Sequence, residues 1–265
     1  KISLISIFLF PLSLVTLLVV FFKKKFLFIK YFRTPIVCVG NIYIGGTGKT
    51  PLVKYIASEL LSLGYKPGLV SRGYGGKFKE TLLVSDQTPV KQTGDEAQIL
   101  ATLNLPFYID KSRVRAVKAI TDNHDCDIII SDDGLQHYKM NRDIEIVVID
   151  GKRRFGNNLT FPAGPLRESK ARLNSVDFIV NNSGPTDEGE YLMNVSPSRF
   201  VHLKSGKSYP IEDWPMHKQV HAVAGLGNPG RFFDLLARLG FDIIRHPFQD
   251  HHNFHEQDIH YLDHL

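Results

Sequence analysis

Residues 39–51 read VGNIYIGGTGKTP, and their reading decides the fold. The closing Gly48-Lys49-Thr50 satisfies the phosphate-loop pattern G-x-x-x-x-G-K-[ST], but Tyr43 stands where the pattern opens with glycine. Just before lies PIVCVG (35–40), a short apolar run of the kind that forms a buried strand. Just after, TPLVKYIASELLSLG (50–64) places Leu52, Val53, Ile56, Leu60 and Leu61 at helical spacing ahead of a terminating Gly64. Strand, glycine turn, Lys-Thr and helix form the context a phosphate loop requires. Backbone N–H groups of Gly45, Gly46, Thr47, Gly48, Lys49 and Thr50 would face phosphate oxygens, with the positive helix end behind them. Lys49 is then placed to reach the β- and γ-phosphates, and the Thr50 hydroxyl to bind magnesium. Gly45 and Gly46 supply from the other side the freedom that Tyr43 lacks. A plain strand-to-helix turn would leave the lysine at the helix start unexplained.

Such a loop needs a carboxylate at the end of a neighbouring strand, and DIIISDDGLQH (127–137) offers one. Its apolar run leads into Asp132-Asp133-Gly134. Adjacent acids at a strand end repel unless a cation neutralises them, and magnesium carried by a nucleotide does so. A polar turn capping the strand is the simpler alternative for Asp-Asp-Gly alone; its pairing with the loop favours a metal site. Which of the two acids touches the metal stays open. An Asn-Lys-x-Asp guanine reader is absent, and VNNSG (180–184) is a poor substitute, so ATP with Mg2+ is the expected ligand.

Short apolar runs alternate with helical patterns through residue 151, which predicts an α/β, P-loop NTPase-like, doubly wound and mostly parallel sheet. Beyond Gly151 a long loop rich in Gly, Pro and Arg is followed by shorter strands, and then by strand, glycine turn, helix and strand. The expected division is an N-terminal anchor over 1–33, a nucleotide-binding lobe over 34–151 and a second, smaller α/β lobe over 152–265. The second lobe is expected to be truncated at its C-terminus, and a cleft between lobes is the natural place for a site.

The net charge of +5 invites a nucleic-acid reading, but its distribution argues against one. Residues 1–33 hold six Lys or Arg and no acid, leaving 26 basic against 27 acidic residues in the remainder. Residues 2–22 carry no charge, and as a helix would span ~31 Å, about the hydrocarbon thickness of a bilayer. Lys23–Lys25 come directly after the apolar run, and no small-x-small cleavage site appears. The basic cluster places the domain downstream of it on the cytoplasmic side. A buried core helix is the alternative, but core helices are rarely apolar all round for so long. Whether the segment spans the bilayer or lies in one leaflet is open. Cys38 and Cys126 sit in or beside apolar runs, without zinc-ligand spacing, and read as small buried hydrophobes.

Taken in order, VGNIYIGGTGKTP, SRGYGG, GDEA, DDGLQH, IDGKRRFGNNLTFPAGPLRE and AVAGLGNPGRFF…FQDHHNF resemble the tetraacyldisaccharide 4'-kinase family from about residue 35 to 255. FPAGPLRE with DDGLQH is the most specific combination, and the family's own loop also lacks the first glycine. The resemblance implies an ATP- and magnesium-dependent lipid kinase acting on the 4'-hydroxyl of a disaccharide lipid in lipid A biosynthesis. It further implies the cytoplasmic face of the bacterial inner membrane; the charge distribution leaves no nucleic-acid partner expected, and no obligate protein partner is evident in the sequence. Matched by position, it makes Asp95 the catalytic base with His251, or His252, as its partner. Arg167 would hold phosphate charge, Glu168 would hold magnesium beside Thr50, Asp132 and Asp133, and Arg115 is a lesser phosphate candidate. Tyr74 of RGYGG is an expected acceptor contact. Without the resemblance, Asp95 would read as an acid at a helix start and the histidines as a solvated turn.

Two rival functions fit parts of the chain. A membrane-associated ATPase with a deviant phosphate loop, acting as a switch or partitioning factor, would share Gly-Gly-x-Gly-Lys-Thr. It would usually carry a lysine where this chain has Ile44. A nucleotide-binding membrane adaptor would not need the acid cluster.

Overall fold

The computed structural model describes residues 3–214, 217–250 and 252–258. The chain divides into two compact units, Lys1–Val195 and Ser196–Leu265.

The first unit opens with helix α1 (Leu4–Phe26), capped by the Ser3 side chain and ending in Lys23, Lys24 and Lys25. After it come β1 (Ile36–Gly40), α2 (Lys49–Ser62), β2 (Pro67–Ser71), β3 (Leu82–Leu83), α3 (Val90–Thr93), α4 (Asp95–Ala101), β4 (Phe107–Ile109), α5 (Arg113–Asn123), β5 (Ile128–Asp132) and β6 (Ile144–Asp150). A 3-10 turn (Lys170–Ser175), β7 (Phe178–Asn182) and β8 (Glu190–Met193) complete it. Eight strands form one sheet in the order β3-β4-β2-β5-β1-β6-β7-β8, parallel except where β3 pairs antiparallel with β4. The expected P-loop-type doubly wound sheet is thus present.

Alternation along β1 shows why this sheet is buried on both faces. Val37 and Val39 pack with Leu52 and Val53 of α2, while Ile36 packs with Ala116, Val117 and Ile120 of α5. Cys38 joins Ile42, Leu135, Val147, Phe155 and Leu166 in a third cluster. Burial holds the Cys38 thiol up to about 12, as a small inert hydrophobe. Because β1 is central and the chain departs from it in both directions across the sheet, the carboxyl ends of β1, β5 and β7 face a shared rim.

The expected boundary near residue 152 falls inside this unit. β7 pairs with β6, and β8 with β7, both parallel, so residues 152–195 complete the nucleotide-binding sheet. The physical reason is the edge: β6 carries the buried Val147, Val148 and Ile149 and needs a strand beyond it. The sequence texture changes at Gly151 because a long loop begins there, while the sheet continues beyond it.

The second unit holds β9 (Arg199–Val201), β10 (Ser208–Pro210), β11 (Gln219–Ala224), α6 (Pro229–Arg238) and β12 (Asp242–Pro247). β9 and β10 form an antiparallel hairpin, whereas β11 and β12 pair parallel around α6. Ala222, Ala224, Phe233, Leu236 and Phe241 form its core, with Phe200 and Trp214 against them.

Candidate active site

The phosphate loop runs from the end of β1 to the first residue of α2, and its backbone explains Tyr43. Positive φ falls at Gly45 (106°) and Gly48 (95°), where glycine stands, and not at Tyr43. Tyr43 forms an antiparallel bridge with Leu166, flanked by hydrogen bonds from Ile44 N to Pro165 O (2.8 Å) and from Arg167 N to Ile42 O (2.7 Å). Extended backbone accepts any side chain, so the missing glycine costs nothing here. The Tyr43 ring lies beneath the Arg153 guanidinium, 5.1 Å from its centroid, and Arg153 also donates to the Gly46 carbonyl.

Two asparagines hold the loop's carbonyls. Asn41 Nδ2 donates to Gly45 O and Thr47 Oγ1, both at 3.1 Å, and Asn182 Nδ2 donates to Thr47 O at 2.8 Å. A Cβ on Gly48 would lie 2.1 Å from Asn182 Nδ2, so Gly48 is fixed by close approach as well as by φ. With its carbonyls held, the loop keeps its N–H groups for a ligand at the start of α2.

Lys49 and Thr50 are buried at that start, and Lys49 Nζ lies 3.5 Å from Asp133 Oδ1. The Arg167 Nη1 group donates to both Asp133 oxygens at 3.0 and 3.1 Å. Burial works against the Asp133 charge, but Lys49 and Arg167 outweigh it and hold the carboxyl below its ordinary value. Asp132 is different. It is 1% exposed, and neither carboxyl oxygen has a hydrogen-bond partner among the described residues. Burial, reinforced by the nearby Glu96 charge, pushes it up to about 7. Two orphaned buried oxygens within the field of Lys49 fit a hard cation, since magnesium takes one or two carboxylates together with phosphate oxygens. The adjacent acids thus separate: Asp133 is engaged by cations of the chain, and Asp132 has its oxygens to offer.

The long loop between β6 and the 3-10 turn brings Arg167 to the site through the bridge to the phosphate loop. Glu168 is buried, but its oxygens meet Lys24 Nζ (2.6 Å), Gln136 Nε2 (2.9 Å) and, more distantly, Arg172 Nε (3.6 Å). Its Oε2 pairs with Lys24 by charge but has no hydrogen-bond partner among the described residues, so its expected metal role passes to the proposed function. Arg115 is placed differently. It is 62% exposed and its fork is spent on Asp110, at 2.9 and 2.7 Å. The guanidinium that does face the site is Arg113, buried in α5, which donates to the Asp132 and Asp133 carbonyls at 2.9 and 3.3 Å. Burial lowers it to about 10.

Asp95 opens α4, and a Cβ on the preceding Gly94 would lie 2.0 Å from the Tyr74 carbonyl. The GDE and RGYGG segments are therefore packed together, with α4's first turn close enough for Glu96 to act on Asp132. A cavity of about 490 Å³ is lined by Arg72, Tyr74, Lys111, His137 and Arg167, with Asp133 at its wall. His137 is a neutral imidazole there, held down at about 4 chiefly by burial and by Arg113. His251 lies outside the described residues. His252, in the second unit, has its Nε2 2.9 Å from Asp258 Oδ2 and stacks on Phe248.

A parallel sheet with this loop, a buried loop lysine and an unpaired strand-end aspartate defines a P-loop nucleotide-binding phosphotransferase. Comparison with known proteins narrows the class. The sequence profile of the family described as Tetraacyldisaccharide-1-P 4'-kinase matches residues 5–265. A tetraacyldisaccharide 4'-kinase of Ruthia magnifica is 44% identical over 268 residues, covering 98% of this chain and 84% of that one. The Methylobacillus flagellatus protein of the same name is 46% identical, covering 84% and 68%. The crystal structure of LpxK from Aquifex aeolicus in complex with ATP superimposes with a TM-score of 0.78 at 28% identity, covering 95% of this chain and 84% of that one. The chain belongs to the tetraacyldisaccharide 4'-kinase family. The family expected from the motifs is the one found, and the switch-ATPase alternative is not favoured.

Several residues of the site escape the sequence reading, among them Asn41, Asn182, Arg113, Gln136, Lys111 and His137. For Asn182 a weak signal exists, the VNNSG set aside as a poor guanine reader; the others carry none that spacing alone reveals.

Proposed function

We propose that this protein transfers the γ-phosphoryl group of ATP to the 4'-hydroxyl of tetraacyldisaccharide 1-phosphate at the cytoplasmic face of the inner membrane. The observation that carries the reading is the strand-end constellation, in which buried Lys49 and an unpartnered Asp132 stand at the mouth of the phosphate loop. The loop's N–H groups and Lys49 hold the β- and γ-phosphates. A magnesium ion held by Asp132 and the Thr50 hydroxyl, with Glu168 as a further candidate ligand, supplies positive charge to the phosphate oxygens when bound. Arg167, aligned by Asp133, neutralises charge on the transferring group. Asp95 accepts the proton of the attacking 4'-hydroxyl, assisted by a histidine of the 251–252 pair. The new O–P bond forms as the β–γ bridge breaks, and ADP leaves with that electron pair. The cavity lined by Arg72, Tyr74 and Lys111 receives the anionic head of the acceptor.

Helix α1 is 23 residues long and apolar, with most of its surface exposed. By length and composition it is able to cross a membrane. In this reading it seats the enzyme beside its lipid, with Lys23–Lys25 at the cytoplasmic headgroups.

The test is transfer of label from γ-labelled ATP to the lipid disaccharide 1-phosphate. Label recovered in the lipid extract is expected; label appearing only as free phosphate would sink the kinase reading. Asp95→Ala should retain nucleotide binding and lose most turnover, and normal transfer by that variant would remove Asp95 as the base.

A further inference from the structure

Helix α1 carries a polar line on its apolar surface. Ser6 and Ser13 are its buried residues, and Lys24 continues their stripe. Steps of seven and eleven residues return to within about 20° of the same face at 3.6 residues per turn. All three meet the long loop that carries Arg167. Asn157 Nδ2 donates to Ser6 Oγ at 3.3 Å; Ser13 Oγ donates to Thr160 O at 2.7 Å and accepts from Ala163 N at 3.0 Å. Lys24 Nζ meets Glu168 Oε2 at 2.6 Å.

From Lys24 an unbroken series of polar contacts reaches the phosphate loop. Glu168 Oε1 accepts from Gln136 Nε2 (2.9 Å), and Gln136 Oε1 accepts from Arg167 Nη1 (3.3 Å). The same Nη1 donates to Asp133 Oδ1 (3.0 Å), which lies 3.5 Å from Lys49 Nζ. The Glu168 side chain is 2% exposed, and such a carboxylate is held where its counter-charge is. Lys24 is its nearest cation, with Arg172 a full ångström further away. The neighbouring Lys25 instead lies over Phe21 and Phe26 of its own helix.

We propose that Lys24 is a positioning residue for phosphoryl transfer: by fixing Glu168 it orients Gln136, and through Gln136 the Arg167 guanidinium against Asp133 and Lys49. The helix that seats the protein in lipid is then also a structural part of its phosphate site. This rests on the reading of Arg167 as a phosphate-neutralising group.

Turnover, ATP KM and vesicle sedimentation on full-length Lys24→Met, Lys24→Arg, Gln136→Leu, Lys25→Met and Arg167→Ala test it. Lys24→Met should lose about tenfold in kcat with ATP KM within about twofold and vesicle binding retained, since misplacing a group from a distance costs rate. Lys24→Arg should recover most of that loss, and Lys25→Met should lose clearly less kcat than Lys24→Met at equal vesicle binding. Gln136→Leu breaks the series without leaving a charge unpaired and should repeat the kcat loss; it decides the matter if Lys24→Met does not fold. Parent-like kcat in Gln136→Leu with an inactive Arg167→Ala overturns the series and leaves the kinase reading intact. A fully active Arg167→Ala overturns the reading of Arg167 beneath it. Equal losses in Lys24→Met and Lys25→Met, in step with vesicle binding, would reduce Lys24 to one charge of a basic collar.

Discussion

The phosphate site is built from two halves of opposite character. One half stands on strand ends: the loop after β1, Asp132 at the end of β5 with Asp133 just beyond it, and Asn182 at the end of β7. The other stands on a long loop, residues 151–168, held by backbone pairing to the phosphate loop and by the polar line of α1. In the strand-end half, groups are aimed by secondary structure close to them in sequence. In the loop half, the anchoring contacts join residues far apart, such as Ser13 with Thr160 and Ala163, 147 and 150 positions away. A site can thus be rigid on a loop when a helix and a bridge over-determine it, and substitutions in the two halves should fail differently.

The largest effect belongs to the strand-end half. Lys49→Ala removes the buried cation at the helix start, and the transfer rate should fall by about 10³-fold, the scale for a preorganised charge lost from a transition state. Circular dichroism should stay native, because the strand and helix on either side keep their own cores. A variant within about tenfold of the parent would mean that Arg167 supplies the charge and the loop half dominates.

Asp132→Asn sharpens the comparison by separating function from stability. Asp132 is held at about 7, above the ordinary carboxyl value, so the folded chain keeps a proton that the unfolded chain has released. Its contribution therefore falls as pH rises from about 4 to about 7, and above that the charged form destabilises the ligand-free protein fully. The cost is on the order of 2–4 kcal/mol. Asp132→Asn should flatten that part of the stability–pH curve and raise the ligand-free Tm at pH 8, while transfer falls by at least about 100-fold. A ligand-free protein whose stability rises across this window would contradict the buried, unpartnered carboxylate.

The strand-end half was legible because its chemistry is local. Gly48-Lys49-Thr50 and Asp132-Asp133-Gly134 each fall within a few residues of an apolar run whose period reveals the strand. Asp132 and Asp133 could not be told apart, since that depends on Arg167 arriving from another segment. Arg115 is the candidate that the motif match supplies, and Arg113 carries no signal of its own; the register of α5, set by Ala116, Val117 and Ile120, turns Arg113 inward and leaves Arg115 to Asp110. Glu168 stands at its motif position, but its pairing with Lys24 joins residues far apart in the chain and leaves no local trace in the sequence. The boundary near 152 was misplaced because a loop looks alike in sequence whether it leaves a sheet or returns to it.

Asn182→Ala tests the contact by which β7 reaches the phosphate loop. Losing the hydrogen bond to Thr47 O frees that carbonyl in a buried place, at a cost of about 1–2 kcal/mol. The loop then binds ATP less well before it reacts less well, so KM for ATP should rise about tenfold with kcat nearly kept. A fall in kcat alone would place Asn182 with the transferring group and not with the loop's resting shape.

The smallest expected effect probes the loop half where it is furthest from the chemistry. Ser13→Ala removes a hydroxyl that gives one hydrogen bond and takes another at a position 1% exposed. Thr160 O keeps its bond from Gly164 N, but Ala163 N is left without Ser13. The loss should be about 1–2 kcal/mol, seen as a fall of a few degrees in the melting of detergent-solubilised protein. Turnover should fall no more than about threefold, because the bridge at Leu166 still ties the loop to Tyr43. Adding Ser6→Ala, which removes the acceptor of the Asn157 contact on the same line, should cost more than the two changes singly if the stripe acts as one support. Simple additivity would make α1 a set of independent contacts, and the loop half would then owe its order to the phosphate-loop bridge.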